Sequence, residues 1–174
     1  MENSSSPHAA NAYEAKTSHE AAQLGRRLKY AGLPQPFGNP LSGIVLVVES
    51  PTGTEGAKMV EALRRSLAAV KLDEAYVTWS SPDLLEEILS LEPAVLVAVG
   101  PTAARAIDAS GYPLARTLFW EAPEGSWFAW TKGTFGLRLP ALSPALADDD
   151  AKRRFWKAFL ALRAHDKNPR YYRP

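Results

Sequence analysis

The chain contains no cysteine among its 174 residues. Disulfides, thiolate zinc sites, cysteine-ligated iron–sulfur clusters and cysteine nucleophiles are therefore excluded. Histidine is scarce: His8, His19 and His165 lie towards the two ends, none at a strand–loop junction. A histidine-based metal or triad site has no support, and no metal or cofactor is expected. Neither charge dominates, with 20 basic against 19 acidic residues. Non-specific nucleic-acid binding through bulk charge is thus not indicated, although a local basic patch is compatible with the balance. No run approaches the ~20 apolar residues of a membrane span. The first residues, Met1 to His8, include three serines and lack a basic and then an apolar region. The expectation is a cytoplasmic protein that does not engage a membrane.

What the chain does have is apolar material, 46% by a broad count, and sharp periodicities. Residues 1–18 are rich in Ser, Ala and Asn and read as a disordered tail. Residues 19–31 turn helical, with Ala21, Leu24, Leu28 and Ala31 on one face. Leu33 to Pro40 carries three further prolines and reads as irregular. Residues 19–40 thus form an N-terminal helix and a proline-rich segment. Residues 41–165 form an α/β domain, and 166–174 a polar, basic tail.

Inside the domain, 44–48 and 94–99 are continuous apolar runs, the mark of strands buried on both faces. Residues 75–79 form a third strand. Residues 54–70, a stretch opening at Pro82, and 101–109 read as helices between them. Residues 118–120, 127–130 and 135–139 read as strands, with turns at Gly125 and Gly133. Residues 150–164 form a last helix with Phe155, Phe159 and Leu162 inward and aspartates at its start. The alternation predicts a three-layer α/β/α sandwich around a mostly parallel sheet.

In such a sheet, ligands bind beyond the carboxyl ends of the strands. Three loops fall there: Glu49-Ser50-Pro51-Thr52-Gly53, Gly100-Pro101-Thr102, and Leu142-Ser143-Pro144-Ala145-Leu146. The first is neither a P-loop nor a dinucleotide fingerprint. It reads as a tight turn with a solvated Glu49, or as a loop whose Glu49 is a general base. Ser143 reads as a turn residue before Pro144, or as a hydrogen-bonding vestige of a site. The aromatic group Phe119, Trp120, Trp127, Phe128, Trp130 and Phe135 packs a core, or offers some members to bases or a partner. Arg153, Arg154, Lys157 and Arg163 line the last helix as a solvated face, or as contacts to phosphates or an acidic partner.

At these three loops the sequence resembles the uracil-DNA glycosylase superfamily, above all its iron–sulfur branch, from about Phe37 to Leu162. The segment Phe37-Gly38-Asn39-Pro40 leading to Ile44-Val45-Leu46-Val47-Val48-Glu49-Ser50-Pro51 is similar to that branch's approach to its first motif, GEAPG. Val99-Gly100 with Thr102-Ala103-Ala104-Arg105 is similar to its central strand and helix. Ser126 to Trp130 and the run to Ser143-Pro144-Ala145 are similar to the approach to its final HPS or HPA motif. The departures are specific. The cluster cysteines are absent, and the final histidine falls on Leu142 or, with the better fit, Ser143. The first motif's leading glycine becomes Val48 while its acid survives as Glu49, and the pocket segment between Gly53 and Lys58 is short. Base excision needs a pocket for the flipped base and charge stabilisation at the departing base.

A second resemblance suits those losses. The psi-subunit family of the bacterial DNA polymerase III clamp loader is similar in its last strand, its Ser143-Pro144-Ala145-Leu146 turn, and a final helix that here includes Trp156. That family engages the clamp-loader collar through a short N-terminal peptide. Leu28 to Phe37, with Gly32-Leu33, is similar in placement but lacks a tryptophan. This resemblance implies a non-catalytic adaptor in DNA replication, with clamp-loader or other replisome proteins as partners. Its partner-binding residues would be Leu28, Leu33, Phe37 and Trp156. Two alternatives stand: a cluster-free uracil-DNA glycosylase in DNA repair using Glu49, and a DNA-binding module acting through Arg153, Arg154 and Lys157.

Overall fold

The computed structural model describes residues 7–165, with side chains from residue 9. Five strands form one sheet: β1 (Ile44–Val48), β2 (Tyr76–Trp79), β3 (Val95–Val99), β4 (Trp127–Ala129) and β5 (Phe135–Leu139). Their order across the sheet is β2-β1-β3-β5-β4. The first four of that order are parallel, and β4 runs antiparallel on β5. Leu46 pairs with Val77 on one side and Val97 on the other, which places the strongest apolar run in the interior of the sheet.

A parallel strand is buried on both faces, so both faces need helices. The alternation along β1 shows the division. Leu46 and Val48 join a cluster with Met59, Leu63 and Leu67 of α2 (Gly56–Ala69) and Phe155 and Phe159 of α5 (Asp149–Phe159). Val45 and Val47 join a second cluster with Leu84, Ile88 and Leu91 of α3 (Leu84–Leu91) and Ala103, Ala104 and Ile107 of α4 (Pro101–Ala109). Successive strand residues face opposite sides, so the two clusters lie on opposite faces of the sheet. The long helix α1 (Pro7–Tyr30) packs along α3 and contributes Ala21 to one cluster and Leu28 to the other.

The expected disordered tail is corrected over residues 7–18, which are the first half of α1. The segment's alanines favour a helix, and tertiary contacts hold it: Thr17 is buried, and the Tyr13 hydroxyl donates to Glu92 of α3's end. Residues 1–6 of that tail, and the C-terminal tail 166–174, lie outside the described residues. The strand expected at 118–120 is also corrected. Phe119–Glu121 is a 3-10 turn, because both oxygens of Asp108 take the N–H groups of Phe119 and Trp120 that a strand would pair. The last helix is α only to Phe159 and tightens to 3-10 over Leu160–Ala164.

The proline-rich segment is part of the fold. Phe37 makes a two-way antiparallel bridge to Val77 and covers the outer edge of β2. Gly38 follows at φ 97°, and a Cβ there would overlap the Ala75 carbonyl, so only glycine lets the chain pass this close.

One buried charge stands out on α3. Glu87 is 1% exposed; its Oε2 accepts the Thr78 hydroxyl at 2.7 Å, and its Oε1 has no hydrogen-bond partner. Burial pushes its carboxyl up to about 7, with the Thr78 bond working against that rise and Asp83 adding to it. The same burial, and the nearby Glu87, hold the Tyr76 phenol above its usual range. Between the ordinary value of 4.5 and about 7, the folded chain keeps a proton that the unfolded chain has lost. Stability is therefore expected to fall as pH rises through that window, by up to about 3 kcal/mol, and to level off above it. Urea midpoints across that range should show the slope in the wild type and lose most of it in Glu87→Gln. Equal slopes in both would contradict the assignment.

Candidate functional site

Strands β1, β3 and β5 end side by side, and the three loops after them meet at one edge of the sheet. The Glu49 N–H donates to the Val99 carbonyl, and the Gly100 N–H donates to Leu139, so each strand end is laced to the next. Helix α4 opens directly at this edge. Its N-cap residue is Gly100, which has no side chain to give, and its first residue is Pro101, which has no N–H.

The missing cap comes from the neighbouring strand. Glu49 Oε2 accepts the Thr102 N–H at 3.0 Å. A carboxylate at a helix N-terminus is held by the free N–H groups and by the positive end of the helix dipole. The other oxygen, Oε1, fills the space over Gly100 where a Cβ would stand. Gly100 adopts φ 100° and ψ 155°, a region nearly closed to other residues. One oxygen of Glu49 thus caps α4, while the other packs against Gly100 without a hydrogen bond.

The third loop is closed in a similar way. Ser143 begins a 3-10 turn, Ser143–Leu146, and its hydroxyl lies 3.0 and 2.9 Å from the two oxygens of Glu55. Leu142 is buried in the core, so Ser143 is the residue of this motif that faces the neighbouring loop. Glu55 sits at the N-cap of α2. It was not among the residues singled out from the sequence, although an acid at a helix start, three residues after Thr52, was a usable signal. Ser50 is occupied too, donating to the Ser80 carbonyl at 2.7 Å.

The chain was compared with known protein families and with curated proteins. Neither comparison gives a match.

The remaining candidate residues are dispersed. Leu28 is 2% exposed in the core, which leaves it no surface for a partner. Leu33 and Phe37 are half-buried against the same cluster, and Arg64 lies 4.3 Å over the Phe37 ring. Trp156 is half-buried, near-parallel to Phe159, and lines a cleft of about 350 Å³ between α2 and α5. Arg153 pairs with Asp150 at 3.2 Å and Arg154 with Glu124 at 2.6 Å, while Lys157 is exposed. The two arginines therefore act in the fold's own ion pairs, and Arg154 ties α5 to the loop before β4. Of the aromatic group, Phe119 and Trp130 are buried, and Trp127 donates its indole N–H to the Ala161 carbonyl at 3.1 Å. Trp120 is the exception, 41% exposed with Arg105 and Arg138 at its ring.

Glu49→Ala should cost about 1 kcal/mol through loss of the α4 cap. Gly100→Ala should cost of order 3 kcal/mol, because it adds backbone strain to a clash with Glu49. The double variant should lose less than the sum, since removing the Glu49 side chain removes the clash. Denaturant unfolding of the four proteins measures this, and strictly additive losses would contradict the contact.

Proposed function

We propose that the chain is a non-catalytic adaptor in DNA replication. Its fold would be a three-layer α/β/α sandwich of the uracil-DNA-glycosylase type, akin to the psi-subunit family of the clamp loader. The observation that supports the non-catalytic part is the use of Glu49 Oε2 as the cap of α4, with Oε1 turned against Gly100. A general base must present a lone pair to water or substrate within hydrogen-bond reach. Here one oxygen caps a helix and the other lies against Gly100. Ser143, at the position where the glycosylase motif carries histidine, gives its hydroxyl to Glu55. A neutral hydroxyl held by a carboxylate supplies no positive charge to a departing base. The sequence departures in the motifs and the internal bonding at the strand ends therefore support the same reading.

The replication part rests on the likeness of the Ser143-Pro144-Ala145-Leu146 turn and the Trp156-bearing helix to the psi family. The partners would be clamp-loader or other replisome proteins in the cytoplasm. Because Leu28, Leu33 and Phe37 pack into the fold, the partner would dock on the folded surface rather than on a free peptide at 28–37.

Two assays test the two parts. Incubation with a fluorescent, uracil-containing oligonucleotide should release no uracil; release that disappears in Glu49→Ala would make the protein a glycosylase. The full chain used as bait in its native extract should retain clamp-loader subunits. A bait that retains none of them would remove the replication assignment.

A further inference from the structure

Three of the seven large apolar side chains that stand exposed among the described residues fall within 114–120: Leu114 at 66%, Leu118 at 47% and Trp120 at 41%. Exposed apolar side chains scattered singly need no explanation, but a concentration of them does. This stretch joins α4 to β4 and is pinned along its length. The Tyr112 ring lies 4.7 Å from that of Trp130, and the Arg116 N–H donates to the Trp130 carbonyl at 2.8 Å. Phe119 is fully buried, and Asp108 accepts its N–H at 2.7 Å and that of Trp120 at 3.0 Å. The leucines are thus held outward by a fixed backbone.

Two cations lie at the Trp120 end of the stretch. The Arg105 guanidinium lies 3.9 Å from the Trp120 ring centroid and that of Arg138 lies 4.8 Å away. Arg138 donates through Nη1 to the carbonyls of Trp120 and Ala122, which fixes it to this turn. Arg116 is exposed between the two leucines in the chain. Among the described residues none of the three forms an ion pair with a carboxylate, and the oxygens of the nearby Asp108 are spent on backbone N–H groups.

We infer that the Leu114–Leu118–Trp120 patch, rimmed by Arg105, Arg116 and Arg138, is a docking surface for an acidic segment of a partner protein that carries apolar anchors. The chemistry favours a protein over a nucleic acid. Leucines offer nothing to a sugar–phosphate backbone, and two guanidinium groups already crowd the Trp120 ring, so a base would have to displace them to stack. Tryptophan and arginine within an apolar patch are the residues that dominate protein interfaces. A fixed backbone also spares the ordering cost of binding. The inference builds on the adaptor reading by naming the face that meets the partner, whereas the patch itself rests on its own residues.

The test uses the full chain and fluorescence anisotropy of a labelled Glu-rich peptide carrying leucine and phenylalanine anchors. The peptide should bind the wild type, and the same peptide with lysine for glutamate should not. Leu118→Glu and Arg105→Glu, both at exposed positions, should each weaken binding about tenfold with an unchanged near-UV circular dichroism spectrum. Glu121→Lys, which removes the exposed acid beside Trp120, should tighten it. Binding indifferent to all three substitutions would overturn the inference. So would displacement of the peptide by oligothymidylate, or a dimer in sedimentation velocity that Leu118→Glu dissolves, since the occupant would then be nucleic acid or a second copy. The outcomes separate the two claims. Clamp-loader capture unaffected by Leu118→Glu would sink the patch and leave the adaptor; substitution-sensitive peptide binding without clamp-loader capture would do the reverse.

Discussion

The carboxylate of Glu49 meets the first free N–H of α4 over a residue that has no side chain. Three local facts make this contact necessary. Gly100 turns sharply out of β3, Pro101 brings no N–H, and no residue of the α4 loop itself caps the helix. An uncapped helix end at the edge of a buried sheet would leave N–H groups without partners. Strand β1 supplies the acceptor because it is the neighbour of β3, with Val48 paired to Val99. The same contact fixes the start of α4, whose Asp108 one face later organises the turn at Phe119 and the exposure of Trp120. A single carboxylate thus links the end of β1 to the helix whose Asp108 shapes the Trp120 turn.

That arrangement separates the two roles an acid can have at the edge of such a sheet. A catalytic carboxylate is kept available, often at a cost in stability. A capping carboxylate is spent on the fold. The chain does carry a carboxyl held at a cost, but it is Glu87, buried on α3 and tied to Thr78.

Much of the architecture was legible from periodicity. The runs at 44–48 and 94–99 could be little other than strands buried on both faces, and Pro101 marked the start of α4 to the residue. The errors came where tertiary contacts override composition. Residues 7–18 read as a tail because Ser, Asn and Ala carry no apolar period, yet packing on α3 orders them as helix. Residues 118–120 read as a strand because Leu, Phe and Trp favour one, and no local pattern announces that Asp108 will claim their N–H groups. Within the candidate site, Glu49 and Ser143 were found by position, but their partners were not. Thr102 and Glu55 are distant in sequence from the groups they bind, separated by 53 and 88 residues, and no motif encodes such pairs.

Amide hydrogen exchange at Thr102 tests the central contact most directly, because that N–H has Glu49 as its acceptor. In the wild type it should be protected to a degree comparable with the first amides inside α4. In Glu49→Ala that protection should vanish while the amides of β3 keep theirs. A Thr102 amide that exchanges freely in the wild type, or one equally protected in both proteins, would mean that Glu49 is not the cap and that its carboxylate is available for chemistry.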